Sequence, residues 1–106
     1  MDILEKKQHY ILLFDCYESL LTEKQRDYFK DYYFSDMSLS EIANERNISR
    51  NAVFDQLKKT YALLEDYEKN LSLYKKYEMR QEVYEELLKI DDVKVHELTE
   101  KLKKIE

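Results

Sequence analysis

Two side chains suited to reading a nucleic-acid base stand next to each other at Arg50 and Asn51. A guanidinium fork matches the O6 and N7 acceptors of guanine, and a carboxamide matches N6 and N7 of adenine. Both open a stretch, residues 50–64, that follows a helix N-cap at Ser49 and repeats apolar residues at Val53, Leu57, Tyr61 and Leu64. On a wheel of about 100° per residue, Asn51, Asp55, Lys58 and Ala62 point away from that stripe. Arg50 and Phe54 lie on one flank, Ala52 and Lys59 on the other. The base-contact candidates are therefore Arg50, Asn51 and Phe54; Phe54 either meets a thymine methyl or completes the core. The phosphate-contact candidates are Ser38, Ser49, Lys58 and Lys59, with Gln25 and Arg26 at the start of a preceding helix. Asp55 would repel phosphate, and its expected role is a local ion pair with Lys58 or Lys59.

The element that must position these groups is residues 38–64, read as a helix, a tight turn and a second helix. Ser38 and Glu41 stand three apart, the spacing of a capping box. Leu39, Ile42 and Ala43 form a short apolar stripe at helical spacing. Asn47 falls where a two-helix corner needs positive φ, and after glycine, asparagine tolerates that region best. Ile48 is expected to plug the corner. This pattern is that of a helix-turn-helix, which lays its second helix in the DNA major groove.

Composition narrows the rest. The 106 residues include no glycine and no proline, which removes cheap hairpin turns and helix breakers and predicts an all-α fold. It also excludes phosphate-cradling loops, dinucleotide fingerprints and nucleophile elbows. Charged residues at 39% beside apolar residues at 43% fit long amphipathic helices. The sequence holds no long apolar run and no signal-peptide core, and one cysteine, Cys16, so a cytoplasmic protein is expected. Cys16 reads as packing, with no basic neighbour to favour a thiolate.

The net charge of −5 is unevenly spread. Residues 1–37 and 65–106 each carry −3, and residues 38–64 carry +1. Only residues 38–64 escape acidity in this count, so counterion release per chain is modest and useful affinity calls for two copies or a partner.

Residues 2–20 predict a first helix capped by Asp2, with Ile3, Leu4, Tyr10, Ile11, Phe14, Tyr17 and Leu21 mostly on one side. A second helix begins at Thr22, whose capping-box partner is Gln25, and runs to about Phe34. Its aromatics Tyr28, Phe29, Tyr32, Tyr33 and Phe34 are expected to wall the two following helices. After Leu64 no stop signal appears; Tyr67, Leu71, Tyr74, Tyr77, Gln81, Tyr84 and Leu88 continue the spacing to about Ile90, with or without a kink. Unbroken from Arg50, that helix would be about 60 Å long. Its tyrosine-rich stripe is expected to meet the first helix and a second protomer. Asp91 and Asp92 then recap a last helix with Val95, Leu98, Leu102 and Ile105 on one stripe. The expectation is one all-helical domain over 1–106, a helix-turn-helix core over 22–64 and a helical extension over 65–106 that dimerises.

No reaction chemistry is legible. His9 and His96 fit no metal-ligand spacing, and Glu85-Glu86 and Asp91-Asp92 read as surface and cap. No catalytic residue, metal or cofactor is expected, and the protein reads as a non-enzyme.

Residues 21–64 resemble the fourth region of bacterial sigma factors, in which a helix opening Leu-x-x-x-Gln-Arg precedes a promoter-reading helix-turn-helix. The matching positions are Leu21, Gln25, Arg26, Leu39, Glu41, Ile42, Ala43, Ile48, Ser49, Val53 and Leu57. Asn47 stands where that family usually has glycine. Residues from about 10 to 90 resemble, more narrowly, the YlxM-type helix-turn-helix proteins. The likeness is carried by Leu13-Phe14-Asp15, Tyr17, Leu20-Leu21-Thr22, Lys24-Gln25-Arg26, Ser49-Arg50, Ala52-Val53 and Asp55. Phe54 departs from it, standing where tyrosine is expected. Genes of that family commonly sit beside those of the signal recognition particle GTPase and its receptor. The resemblance implies a DNA-binding regulatory role linked to the signal recognition particle pathway, with double-stranded DNA and a second copy as partners. The alternative is a protein adaptor or RNA-binding accessory factor of that particle, in which the scaffold is kept without sequence-specific DNA reading.

Overall fold

The computed structural model describes residues 2–106 as six α-helices, with no strand among the described residues. α1 is Ile3–Tyr17, followed by a 3-10 turn, Glu18–Leu20; α2 is Glu23–Tyr33, α3 Leu39–Arg46, α4 Arg50–Leu71, α5 Leu73–Leu88 and α6 Val93–Ile105. The chain divides into two compact units, one ending at Ser72 and the other Leu73–Glu106. No helix among the described residues is long and apolar enough to cross a membrane.

The helix starts follow from local chemistry. The Asp2 carboxylate accepts from the Glu5 amide at 2.8 Å. Thr22 and Gln25 form a complete capping box, with hydrogen bonds of 3.2 and 2.9 Å. Ser38 and Glu41 form a second, at 3.1 Å in both directions. Ser49 Oγ accepts from the Ala52 amide at 3.0 Å and opens α4. Asp92 accepts from Lys94 and Val95 and opens α6.

In the first unit α4 packs against α1, α2 and α3. Tyr28, Ile42, Ala43, Val53 and Leu57 form one buried cluster, with Tyr32, Met37, Leu39 and Tyr61 packed against it. The aromatics of α2 are shared between two sides. Tyr28 faces α3 and α4, whereas Phe29 stacks on Phe14 of α1, rings 4.2 Å apart and within 5° of parallel. Phe34 leans on that pair from the end of the helix.

The tyrosine stripe of α4 meets α1 as expected. Tyr10 stacks on Tyr61 at 4.3 Å, Tyr17 donates to Glu68 at 2.6 Å, and Tyr67 packs on the Tyr17 ring. His9 also pairs with Glu65.

The helical run continues to Leu88, near the expected end at Ile90, but as two helices, because Ser72 turns left-handed at φ 54 and its amide closes α4 onto the Glu68 carbonyl. A buried Thr60, unforeseen among the inward residues, satisfies its hydroxyl by donating to the Gln56 carbonyl at 3.1 Å. In α6 the residue fully turned inward is Thr99, while Leu98, Leu102 and Ile105 are exposed.

Candidate nucleic-acid interface

The corner between α3 and α4 is built by three devices. Asn47 adopts φ 55, ψ 45, and its amide and that of Ile48 both donate to the Ala43 carbonyl. The Arg46 guanidinium reaches back to Asp31 on α2, at 2.7 and 3.2 Å, and lies 4.7 Å over the Tyr28 ring. Asp31 raises the Arg46 pKa above its usual value, chiefly through that hydrogen bond. Ile42, Val53 and Leu57 then lock α4 across α3. Ile48 does not plug the corner. It is 36% exposed, whereas Ile42 on α3 is fully buried.

This corner fixes the first turn of α4 and what it presents. Arg50 and Asn51 are exposed there, and Lys58 and Lys59 are exposed further along. Among the described residues, none of Arg50, Lys58 and Lys59 takes part in an ion pair. The expected pair of Asp55 with Lys58 or Lys59 is also unformed. A short carboxylate and a long ammonium gain little from meeting in full solvent.

Phe54 is 49% exposed, so it does not complete the core. It lines a groove of about 640 Å³ between α1, the α2–α3 connection and α4, together with Lys6, Lys7, Tyr32, Met37 and Tyr61. Lys6 and Lys7 are 40 or more positions away in sequence, and no local signal connects them with α4.

Ser38 and Ser49 each accept a backbone hydrogen bond and keep a hydroxyl proton to donate. Gln25 uses its carbonyl oxygen in the α2 capping box and retains its NH₂ group. Arg26 is differently employed: its Nη1 donates to the Leu21 carbonyl at 2.6 Å and to that of Glu18 at 3.5 Å, bracing the 3-10 turn. The fold therefore gathers Arg50, Asn51, Phe54, Ser49, Lys58 and Lys59 on α4 and its cap, with Ser38 at the start of α3. Gln25 and Arg26 sit at the start of α2. Sequence reading missed Arg46 and Asp31, whose role depends on a contact 15 residues apart.

No buried carboxylate or histidine cluster is present, and no group of His, Cys, Asp and Glu able to hold a metal occurs among the described residues. Besides Arg46, the shifted groups are tyrosines: burial raises Tyr61, Tyr33, Tyr10 and Tyr84 above the ordinary 10.0, which keeps them protonated packing groups.

Comparison with known proteins agrees with this geometry. A family model described as "Putative helix-turn-helix protein, YlxM / p13 like" matches residues 4–105. A UPF0122 protein of Halalkalibacterium halodurans is 52% identical over 85 residues, covering 80% of this chain and 78% of the relative. One from Bacillus licheniformis is 48% identical over 89 residues, covering 84% and 83%. One from Oceanobacillus iheyensis is 46% identical over 105 residues, covering 98% and 100%. A match across nearly the whole chain, joined to an all-α fold with a helix-turn-helix at its centre, assigns this chain to the UPF0122 family of YlxM / p13-like proteins.

Proposed function

We propose that this protein is a DNA-binding regulator that places the first half of α4, within about residues 50–64, in the major groove. The observation that carries the reading is the exposed start of α4, where Arg50, outside every ion pair among the described residues, and Asn51 stand next to the left-handed corner at Asn47. Arg50 serves guanine and Asn51 adenine; Phe54 is placed for a thymine methyl. Lys58, Lys59 and the hydroxyls of Ser38 and Ser49 serve phosphates, and the NH₂ of Gln25 extends that set. Arg26 contributes to phosphate binding only through the guanidinium nitrogens that the 3-10 turn leaves unused.

The protein acts in the cytoplasm, without catalysis, as a homodimer. Two copies compensate for the small positive charge that each reading segment supplies. The resemblance to YlxM-type proteins directs the reading to the signal recognition particle pathway. A second reading, as a protein adaptor or RNA-binding accessory factor of that particle, is favoured by one observation: the segments flanking 38–64 carry −3 each.

The test is fluorescence anisotropy on duplex DNA across a salt series. Arg50→Ala weakens specific binding by about 1–3 kcal/mol and relaxes sequence choice. Lys59→Ala weakens all sequences alike and flattens the salt dependence. Equal effects of the two substitutions on every sequence would refute the division of labour.

A further inference from the structure

α1 and α4 run parallel, with their N-terminal ends on the same side. Tyr10 stacks on Tyr61 and Tyr17 donates to Glu68, each pair 51 positions apart, so the two helices advance together. In that register Ile3 is level with Phe54, Lys6 with Leu57 and Lys7 with Lys58. The groove of about 640 Å³ agrees with it: Ile3, Lys6 and Lys7 form its α1 wall, and Phe54 and Leu57 stand on its α4 wall.

Ile3, Lys6 and Lys7 share one side of α1, at spacings of three and four. Glu5 falls on the side away from Ile3 and Lys7, and the Asp2 carboxylate is held by the Glu5 amide. Both lysines are exposed and, among the described residues, outside every ion pair. Two carboxylates share the groove: Asp36 on the α2–α3 connection, and Glu41, which accepts from the Ser38 amide at 3.1 Å. The charged groove residues outside 38–64 are Lys6, Lys7 and Asp36, and they take the +1 of that stretch to +2.

We propose that Lys6 and Lys7 hold the phosphate rim of the major groove that α4 enters, a clamp supplied by α1 from outside the helix-turn-helix. The inference rests on the DNA reading above and adds a backbone contact to it. A recognition helix enters the groove by its N-terminal turn. A parallel α1 turns its own N-terminal end toward the same duplex. The two lysines stand level with residues 57 and 58, roughly 10–12 Å behind Arg50 along the helix. The major groove is about 8.5 Å deep. At that setback a side chain meets the phosphates of the rim and not the base edges. Lys58, one turn after Phe54 on the same side of α4, is level with Lys7 and serves the same rim. An ammonium on a flexible stem suits such a contact, binding phosphate as a point charge without reading sequence.

The experiment is fluorescence anisotropy of the full chain on a mixed-sequence duplex of about 20 base pairs, over roughly 50–200 mM salt. Lys6→Ala/Lys7→Ala lowers the slope of log K against log salt by about 1–2, since each phosphate contact contributes about 0.9. Helicity by circular dichroism is kept, because both residues are exposed. Lys6→Arg/Lys7→Arg restores the slope, and the sequence selected from a random pool is the same for every variant. Lys89→Ala/Lys94→Ala removes the same net charge and leaves the slope as it is. An unchanged slope in Lys6→Ala/Lys7→Ala, or an equal loss in Lys89→Ala/Lys94→Ala, overturns the clamp and leaves base reading by α4 intact. A wild type that binds no duplex at any salt overturns clamp and base reading together. A slope that falls in Lys6→Ala/Lys7→Ala, beside a wild type that selects no motif, supports the clamp and refutes base reading.

Discussion

The Arg46 guanidinium and the Asp31 carboxylate tie the end of α3 to the last turn of α2, Nε and Nη2 both donating to one oxygen at 3.2 and 2.7 Å. The pair is partly exposed, so its Coulomb energy is screened, but the fork geometry and the Tyr28 face beneath it add to the fixation. Arg46→Ala is expected to cost about 1–2 kcal/mol in urea unfolding. Arg46→Lys recovers less than half of that, because an ammonium cannot reproduce the fork. A full recovery by lysine would show that charge alone matters here.

The left-handed corner gives a second prediction. Asn47 sits at φ 55, where a Cβ is unfavourable and asparagine is among the better-tolerated side chains. Asn47→Gly is expected to hold or slightly raise the melting temperature, and Asn47→Ala to destabilise by about 1 kcal/mol. Since the corner aims α4, Asn47→Ala also loosens DNA binding more than its global stability loss explains. Amide hydrogen exchange at Ile48, whose N–H bonds to Ala43, reads the corner directly.

These two sites mark how far sequence alone reaches. The caps at Thr22, Ser38, Ser49 and Asp92 and the turn at Asn47 were legible because each is decided within about four residues by side chain and backbone. The inward set Val53, Leu57 and Leu64 was legible from its period. Arg46 with Asp31, and Arg26 with the Leu21 carbonyl, were not, since an unpaired arginine and a bracing one look alike in a charge-rich chain. The break at Ser72 was hidden because serine carries no strong preference for a left-handed turn. Arg50, Asn51, Lys58 and Lys59 lie on an exposed side of α4, the side the wheel assigns them, but exposure of Phe54 rather than its burial is a tertiary outcome.

Tyrosine titration offers a third prediction. Burial, then the hydrogen bond and charge of neighbouring Tyr33, raise the Tyr61 pKa well above the ordinary 10.0. Tyr33 and Tyr10 are raised as well, again chiefly by burial. The unfolded chain therefore releases these protons before the folded one does. Their stabilising contribution is whole below pH 10.0 and is lost as pH rises above it. Urea midpoints should fall with rising pH in that range, and Tyr61→Phe should lessen the fall. A midpoint independent of pH above 10.0 would contradict the buried tyrosine cluster.

The most direct test of base reading by α4 is selection of bound sequences from a random duplex DNA pool at two salt concentrations, with an Arg50→Ala/Asn51→Ala protein as the control. The account predicts a recovered motif that contains guanine and adenine positions, persists at the higher salt and is absent from the control. A pool that yields no motif, or the same motif with the control, would contradict sequence reading by Arg50 and Asn51.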